Sequence, residues 1–259
     1  MSAKPAHQSN DSNDSNDGSA SQLLFRPAAA RFHSHLDWLD SWHSFSFADH
    51  YDPAWVGFGP LRVINDDTIS AGRGFGMHPH RDMEIVTVMV AGQIDHCDSM
   101  GHSQVLRAGE LQWMSAGSGI VHSEINGGDK ACRLLQIWIE PSQAGQPPAY
   151  GQKSFAIGPG WTPLLDPTAA GGALAIRRPV KLWRAQPEAG RSLELRISSG
   201  CQGWLQLIDG SGSLHPSDSI GPQLPAQLQR GDGCGFGSTA LDRFTAGANG
   251  ADLLLFELR

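Results

Sequence analysis

The sequence is short of positive charge, of cysteine and of long apolar runs, and each shortage excludes something. Lys and Arg number 19 against 26 Asp and Glu, a formal net charge of −7, and no basic block stands out. Proteins hold nucleic acid largely by neutralising phosphates, so direct nucleic-acid binding is not expected. The four cysteines (Cys97, Cys132, Cys201 and Cys234) are scattered, with no CxxC pair. That is too few for a disulfide scaffold and fits reduced thiols in a cytoplasmic protein. The late apolar run Leu253-Leu254-Leu255-Phe256 falls far below the roughly 20 residues of a membrane span. The first residues lack the basic-then-apolar pattern of a secretory signal. A membrane partner is therefore not expected.

Glycine and proline, by contrast, are plentiful: 31 and 16 of 259 residues, with only 17% charged. Both punctuate turns, so many short strands are favoured over long helices. At 40% hydrophobic residues the chain can bury one large core or two small ones. Residues 1–20, with the repeat SNDSNDSNDGSAS, are too polar to offset chain entropy and are expected to be disordered. The next segment, to about Tyr51, is rich in aromatics (DWLDSWHSFSFADHYDP). It reads as short strands and turns whose rings pack in a core or at a domain seam.

Strand signals follow at 61–67, 84–90, 93–97, 103–106, 110–114 and 131–140. Their rhythm of about 8–12 residues suggests a sandwich or barrel. Pro141 to Tyr150 (PSQAGQPPAY) reads as a linker. Further strands are expected near 174–184, 191–198, 203–209, 226–230 and 252–258. The divisions implied are a tail over 1–20, an N-terminal domain over 21–145 and a C-terminal domain over 146–259. A faint repeat links the two halves. Asp95–Gly101 resembles His215–Gly221, and Gln104–Glu110 is echoed by Ala226–Asp232, in the same order. The second copy has no histidine except His215, whose counterpart is His96 rather than a candidate ligand. If the chain is a duplication, only its N-terminal half can carry a metal.

That half contains the stretch GMHPHRDMEI. His78 and His80 stand two apart, and on an extended segment residues i and i+2 share a face. Some forty residues later His122 and Glu124 repeat the spacing. A lone HxH is more often two unrelated histidines. Two such pairs on neighbouring strands can converge on one ion. Three imidazoles and a carboxylate suit Fe, Mn, Co, Ni, Cu or Zn and suit Ca or Mg poorly. Four protein ligands on an octahedral ion leave two positions open. Ser123, between two of these residues, points the other way, which argues against a serine nucleophile. The Gly-rich GRGFG lacks the strand–helix context and the GK[ST] of a phosphate loop. His96, beside a turn, is expected in solvent, and His33, His35, His43 and His50 are expected to be structural or exposed.

Gly72-x5-His78-x-His80-x3-Glu84 and Gly109-x5-Ser115-x-Gly117-x4-His122-x3-Asn126 resemble the two cupin motifs. They depart from the general pattern at Ser115, where proline is usual, and by two extra residues before His122. Both departures, together with HPHRDMEIVT, ELQWMSAGSGIVHSE and WHSFSFADHYDP, are similar to the pirin family, and more narrowly to its bacterial members of the quercetin 2,3-dioxygenase type. The specific matches run from about Leu36 to Glu140. The resemblance implies an all-β bicupin, two β-barrels face to face, with metal in the N-terminal one. It implies His78, His80, His122 and Glu124 as ligands and iron(II) as the usual ion, with Mn, Co, Ni, Cu and Zn left open. It places Phe75 and Arg81 in the pocket wall and leaves Glu84 as a hydrogen-bonded structural carboxylate.

The activity implied is a metal-dependent dioxygenase that cleaves a flavonol such as quercetin, or a related enolic aromatic, with dioxygen. Glu124 would be both ligand and base, and carbon monoxide would be released. Two alternatives stay open: a non-enzymatic, redox-sensitive iron-binding regulator acting through a protein partner, and another cupin chemistry such as isomerisation or metal-assisted hydrolysis.

Overall fold

In the first half of the chain the strands are β1 (Leu23–Arg26), β2 (Phe32–His35), β3 (Leu39–His43), β4 (Leu61–Ile69), β5 (Gly74–His80), β6 (Glu84–Ala91), β7 (Gln93–Asp98), β8 (Ser103–Arg107), β9 (Glu110–Ser115), β10 (Ile120–Ile125) and β11 (Cys132–Ile139). The second half follows with β12 (Ala149–Ser154), β13 (Thr162–Asp166), β14 (Leu174–Ala175), β15 (Val180–Ala185), β16 (Ser192–Glu194), β17 (Gln202–Pro216), β18 (Leu228–Gln229), β19 (Gly233–Gly237) and β20 (Leu241–Leu258). This computed structural model describes residues 23–216, 225 and 227–259. The polar tail expected over 1–20, and most of the second copy of the first repeat segment, lie outside them. Among the described residues the only helices are three single 3₁₀ turns.

Three sheets form. A seven-stranded sheet runs β12-β9-β6-β11-β4-β3-β2, and a four-stranded sheet runs β5-β10-β7-β8. The second half makes a nine-stranded sheet with the main path β1-β19-β17-β20-β15-β13-β14. One strand near the start of each half of the chain pairs into the sheet of the other: β1 with β19, and β12 with β9.

Every residue from Glu84 to Met89 of β6 is buried, which fits a strand covered on both faces. Val86 and Val88, with Leu111 and Trp113 of β9 and Leu135 and Ile137 of β11, pack on Leu182, Trp204, Leu254 and Phe256 of the nine-stranded sheet. The Trp204 ring, fully buried, lies 4.9 Å from Phe45 and 5.4 Å from Phe58. The alternate residues turn to the four-stranded sheet: Met89 packs with Ile94, and Thr87 reaches Glu124. Two buried arginines stitch the halves. Arg133 holds both oxygens of Asp66 at 2.8 and 2.9 Å and reaches Asp209 at 2.6 Å. Arg184 holds Asp252 at 2.9 and 2.6 Å and leans on the Met89 carbonyl.

Several elements differ from the sequence expectation. The expected strand over 174–184 splits into β14 and β15 around Arg177-Arg178-Pro179, because proline has no N–H for a ladder. The linker ends in strand, since β12 starts at Ala149. β17 and β20 far outrun 203–209 and 252–258. β19, Gly-Cys-Gly-Phe-Gly, is hidden by strand propensity, which disfavours glycine. Its glycines are needed for close approach: a Cβ on Gly233 would strike Trp204, and one on Gly235 would strike Phe58. The repeat has a structural counterpart. The Arg107 N–H donates to Glu110 at 2.6 Å and the Gln229 N–H to Asp232 at 2.8 Å, around Gly109 (φ 85°) and Gly231 (φ 89°).

Candidate metal centre

The four-stranded sheet brings His78, His80 and His122 together, while Glu124 groups with His122 and His96. β5 and β10 run antiparallel with His78 opposite His122 and His80 opposite Ile120. β10 also pairs with β7, which sets Glu124 opposite His96 and His122 opposite Asp98. Burial alternates along β10, with His122 and Glu124 inside and Val121 exposed. Between His122 and Glu124 the partner on β5 jumps from His78 to Phe75, so β5 carries an extra residue there. Such a bulge re-aims a side chain. Here it lets the His78 ring donate from Nδ1 to the Gly76 carbonyl at 2.8 Å, which leaves Nε2 free to present a lone pair.

The three rings form a tight triangle. Their centroids lie 4.8 Å apart for His78–His80, 4.4 Å for His78–His122 and 4.9 Å for His80–His122. One ligand atom from each falls within 4.8 Å of the other two. The His122 ring is 1% exposed, and neither of its nitrogens has a hydrogen-bond partner. Leaving a buried polar atom unpaired costs about 1–3 kcal/mol, so the ring fits a ligand role better than a packing role. Burial first, and then the neighbouring imidazoles His78, His80 and His96, lower the His122 pKa to about 3. Burial and His78 lower that of His80 to about 4. Both rings are therefore neutral near pH 7, the form that binds a metal.

Glu124 stands outside that triangle, its ligand atom within 4.8 Å of those of His122 and His96. It accepts from Gln136 Nε2 at 2.7 Å and from Thr87 Oγ1 at 3.1 Å. Burial pushes its carboxyl up to about 7, against the lowering effect of those two bonds. The Thr87 hydroxyl also stands 3.1 Å from Gln136 Oε1. It has one proton and can serve only one of the two acceptors at a time.

His96 corrects the expectation of a solvated residue. It is fully buried, and its ligand atom lies within 4.8 Å of those of His122 and Glu124. Its Nε2 meets Asp98 at 3.2 Å, and Gln112 stands 3.4 Å from Nδ1. The cause is strand length: β7 runs on to Asp98, so Ile94, His96 and Asp98 all face inward. That alternation was a usable signal. Asp98 also accepts from His102 Nδ1 at 2.8 Å, and the His102 ring stacks on Tyr150 at 4.5 Å. Trp138, unremarked in the sequence, stands edge-on to His80 at 4.9 Å with its buried Nε1 unpartnered.

Of the two expected pocket residues, Phe75 is half-buried and edge-on to Trp38 and His78, at 5.3 and 6.4 Å. Arg81 is exposed just past the end of β5. Glu84 is on the other face of its sheet, where Trp113 Nε1 and Ser115 Oγ donate to it at 2.6 and 2.8 Å. Ser115, which departs from the cupin pattern, thus has a partner that a proline could not supply. His43 is buried against Asn65 at 2.8 Å, and His50 reaches Ser34 at 3.0 Å.

An all-β chain with clustered imidazoles on adjacent inner strands has the form of a cupin, and comparison with known proteins agrees. The family described as Pirin matches residues 25–139, and the Quercetinase C-terminal cupin domain matches residues 164–258. The chain belongs to the pirin family. It is 43% identical over 194 residues to quercetin 2,3-dioxygenase of Escherichia coli (strain K12), covering 74% of this chain and 84% of that one. A pirin-like protein of Caulobacter vibrioides is 37% identical over 226 residues, covering 85% and 92%. Among solved structures, the bacterial pirin YhhW of Escherichia coli in complex with nickel(II) superposes with a TM-score of 0.83 at 38% identity, covering 92% of this chain and 99% of that one.

Proposed function

We propose that the chain is a metal-dependent dioxygenase acting on a flavonol, or a related enolic aromatic, at the cluster of His78, His80, His122 and Glu124. The observation that carries this is the buried His122 ring, whose two unpartnered nitrogens sit among two further imidazoles, with Glu124 beyond it on the same strand face. Kinship with a protein named quercetin 2,3-dioxygenase supplies the substrate class. The donor set suits a late first-row divalent ion. Iron(II) is our assignment, and the nickel complex of YhhW supports a divalent transition metal in this family. The scaffold we propose is a bicupin of residues 21–145 and 146–259 with one strand exchanged each way, working in the cytoplasm. Among the described residues no helix is long and apolar enough to cross a membrane.

When bound, the ion supplies Lewis acidity and, if redox-active, electrons for dioxygen chemistry. The protein's own part is positioning and proton transfer. A flavonol presents a hydroxyl beside a carbonyl, and the hydroxyl must lose its proton before it can chelate. Glu124 is the carboxylate at hand, and general-base help of this kind is typically worth about 10²–10⁴-fold. Gln136 and Thr87 fix its orientation. His78 and His80 are half-exposed whereas His122 and Glu124 are buried, so substrate approaches from the β5 side. There Phe75 and Trp138 supply aromatic walls for a flat ring.

Oxygen uptake by iron-loaded protein given quercetin, with Glu124→Gln beside it, tests the reading. Uptake that tracks quercetin loss, and vanishes in a variant that keeps part of its iron, is the expected result. Wild-type turnover in Glu124→Gln removes the base assignment. No uptake at full iron occupancy removes the dioxygenase reading and shifts weight to a redox-sensitive regulator.

A further inference from the structure

A second group of metal-ligating side chains lies away from this cluster and shares no residue with it. β2 and β3 form the outer hairpin of the seven-stranded sheet, with β2 at its edge. Their register sets His33 opposite Trp42 and His35 opposite Asp40. Ser34, between the two histidines, turns to the other face and meets His43 and His50 at 2.9 and 3.0 Å. His33 Nε2 lies 2.7 Å and His35 Nδ1 3.2 Å from the same oxygen, Asp40 Oδ1. The three ligand atoms fall within 4.8 Å of one another. Two of the three donors are held in place: the His33 ring lies flat on Trp42 at 4.0 Å and 12°, and Trp42 Nε1 donates to Asp40 Oδ2 at 3.3 Å.

The geometry points to a second metal site, formed by His33 Nε2, His35 Nδ1 and the Asp40 carboxylate, that takes a divalent late first-row ion. Two imidazoles and a carboxylate select Zn, Cu, Ni or Co over Ca or Mg. All three side chains are accessible to solvent, so water fills the remaining positions and the ion exchanges with the medium. Each ring now directs a nitrogen at Asp40. On binding, that nitrogen presents its lone pair and the ring proton is carried by the other nitrogen. The site does not depend on the proposed dioxygenase activity.

The test is zinc counting. Metal-stripped full-length chain is dialysed against Zn(II), and bound zinc per chain is measured for wild type, His35→Ala, Asp40→Asn and His122→Ala. Wild type should bind one equivalent more than either hairpin variant, and His122→Ala should keep the hairpin equivalent. Since His33 stacks on Trp42, Cu(II) should quench part of the tryptophan emission of His122→Ala, and the quenching should be lost when His35→Ala is added. Equal stoichiometry in wild type and His35→Ala overturns the site. So does an extra equivalent that remains unsaturated at about 1 mM zinc, which marks adventitious surface binding.

Discussion

Replacing Asp67 with Asn should flatten the pH dependence of stability. Asp67 is 2% exposed on β4, directly opposite Ser41, whose hydroxyl donates to it. The nearby guanidiniums are spent on its neighbour: Arg133 and Arg31 pair with Asp66. Burial, with lesser contributions from the Asp66 and Glu124 charges and against the Ser41 bond, lifts the Asp67 carboxyl from 3.8 to about 7. A folded-state pKa above the unfolded one favours folding fully below the unfolded value, and the contribution is lost as pH rises through the folded value. A gap of about three pH units corresponds to about 4 kcal/mol in all, and about 2–3 kcal/mol of it falls between pH 5 and 8. Asparagine mimics the protonated acid and carries no such dependence. Asp67→Asn should therefore gain about 2–3 kcal/mol on wild type as pH rises from 5 to 8. Urea unfolding of the metal-free proteins at four pH values measures this. Glu124 titrates in the same window in both proteins, so only its lesser coupling to Asp67 remains in the difference. Parallel profiles would refute the argument.

Two further expectations rest on close packing and on buried thiols. A Cβ at Gly74 would run into the Glu124 carbonyl and the Ile125 backbone on β10, so Gly74→Ala should cost about 1–3 kcal/mol and lower the amount of divalent metal bound at the β5–β10 cluster. Gly158→Ala, with open space around it, is the neutral control in melting and metal-content measurements. Burial pushes the thiols of Cys132 and Cys234 up to about 11 and about 12. Iodoacetamide at pH 7.5 should thus label the exposed Cys97 and spare those two, and mass mapping of the labelled peptides decides it.

Where a single local rule governed, the sequence was legible. The i, i+2 spacings 78/80 and 122/124 predict shared faces, and the strands obey because nothing interrupts β10 and the bulge in β5 lies before His78. The strands from β6 to β9 carry β-branched and apolar alternation and appear within a residue or two of expectation. What stayed hidden depends on partners distant in the chain. β19 is a strand because Trp204 and Phe58 need glycine beneath them, which no local pattern records. The exchanges β1–β19 and β12–β9 are properties of the assembled sheets. Trp138 was invisible for the same reason: only β11 lying beside β6 and β4 brings its ring to His80.

The repeat shows where the interiors of the two halves differ. Gly92 and Gly210 occupy the same left-handed turn, with φ 73° and 78°. The fourth residue after each is His96 in the first half and Leu214 in the second. Across the ladder His96 faces Glu124, while Leu214 faces Phe244. The polar pair of one unit is thus an apolar pair in the other. Phe244 is fully buried with Leu193, Leu205, Phe236 and Leu253 around it. Counted from the shared turn, the structural counterpart of His96 is Leu214 and not His215, which instead reaches Thr245 at 2.9 Å. An interior filled by Phe244 and leucines gains hydrophobic stability, on the order of 1.5–3 kcal/mol per buried side chain. An interior lined by His78, His80, His122 and Glu124 forgoes that gain and leaves His122 unpartnered. Such a difference between the two halves fits a division of labour: the second half stabilises the first through the shared inter-sheet core, and the first keeps the clustered imidazoles of His78, His80 and His122.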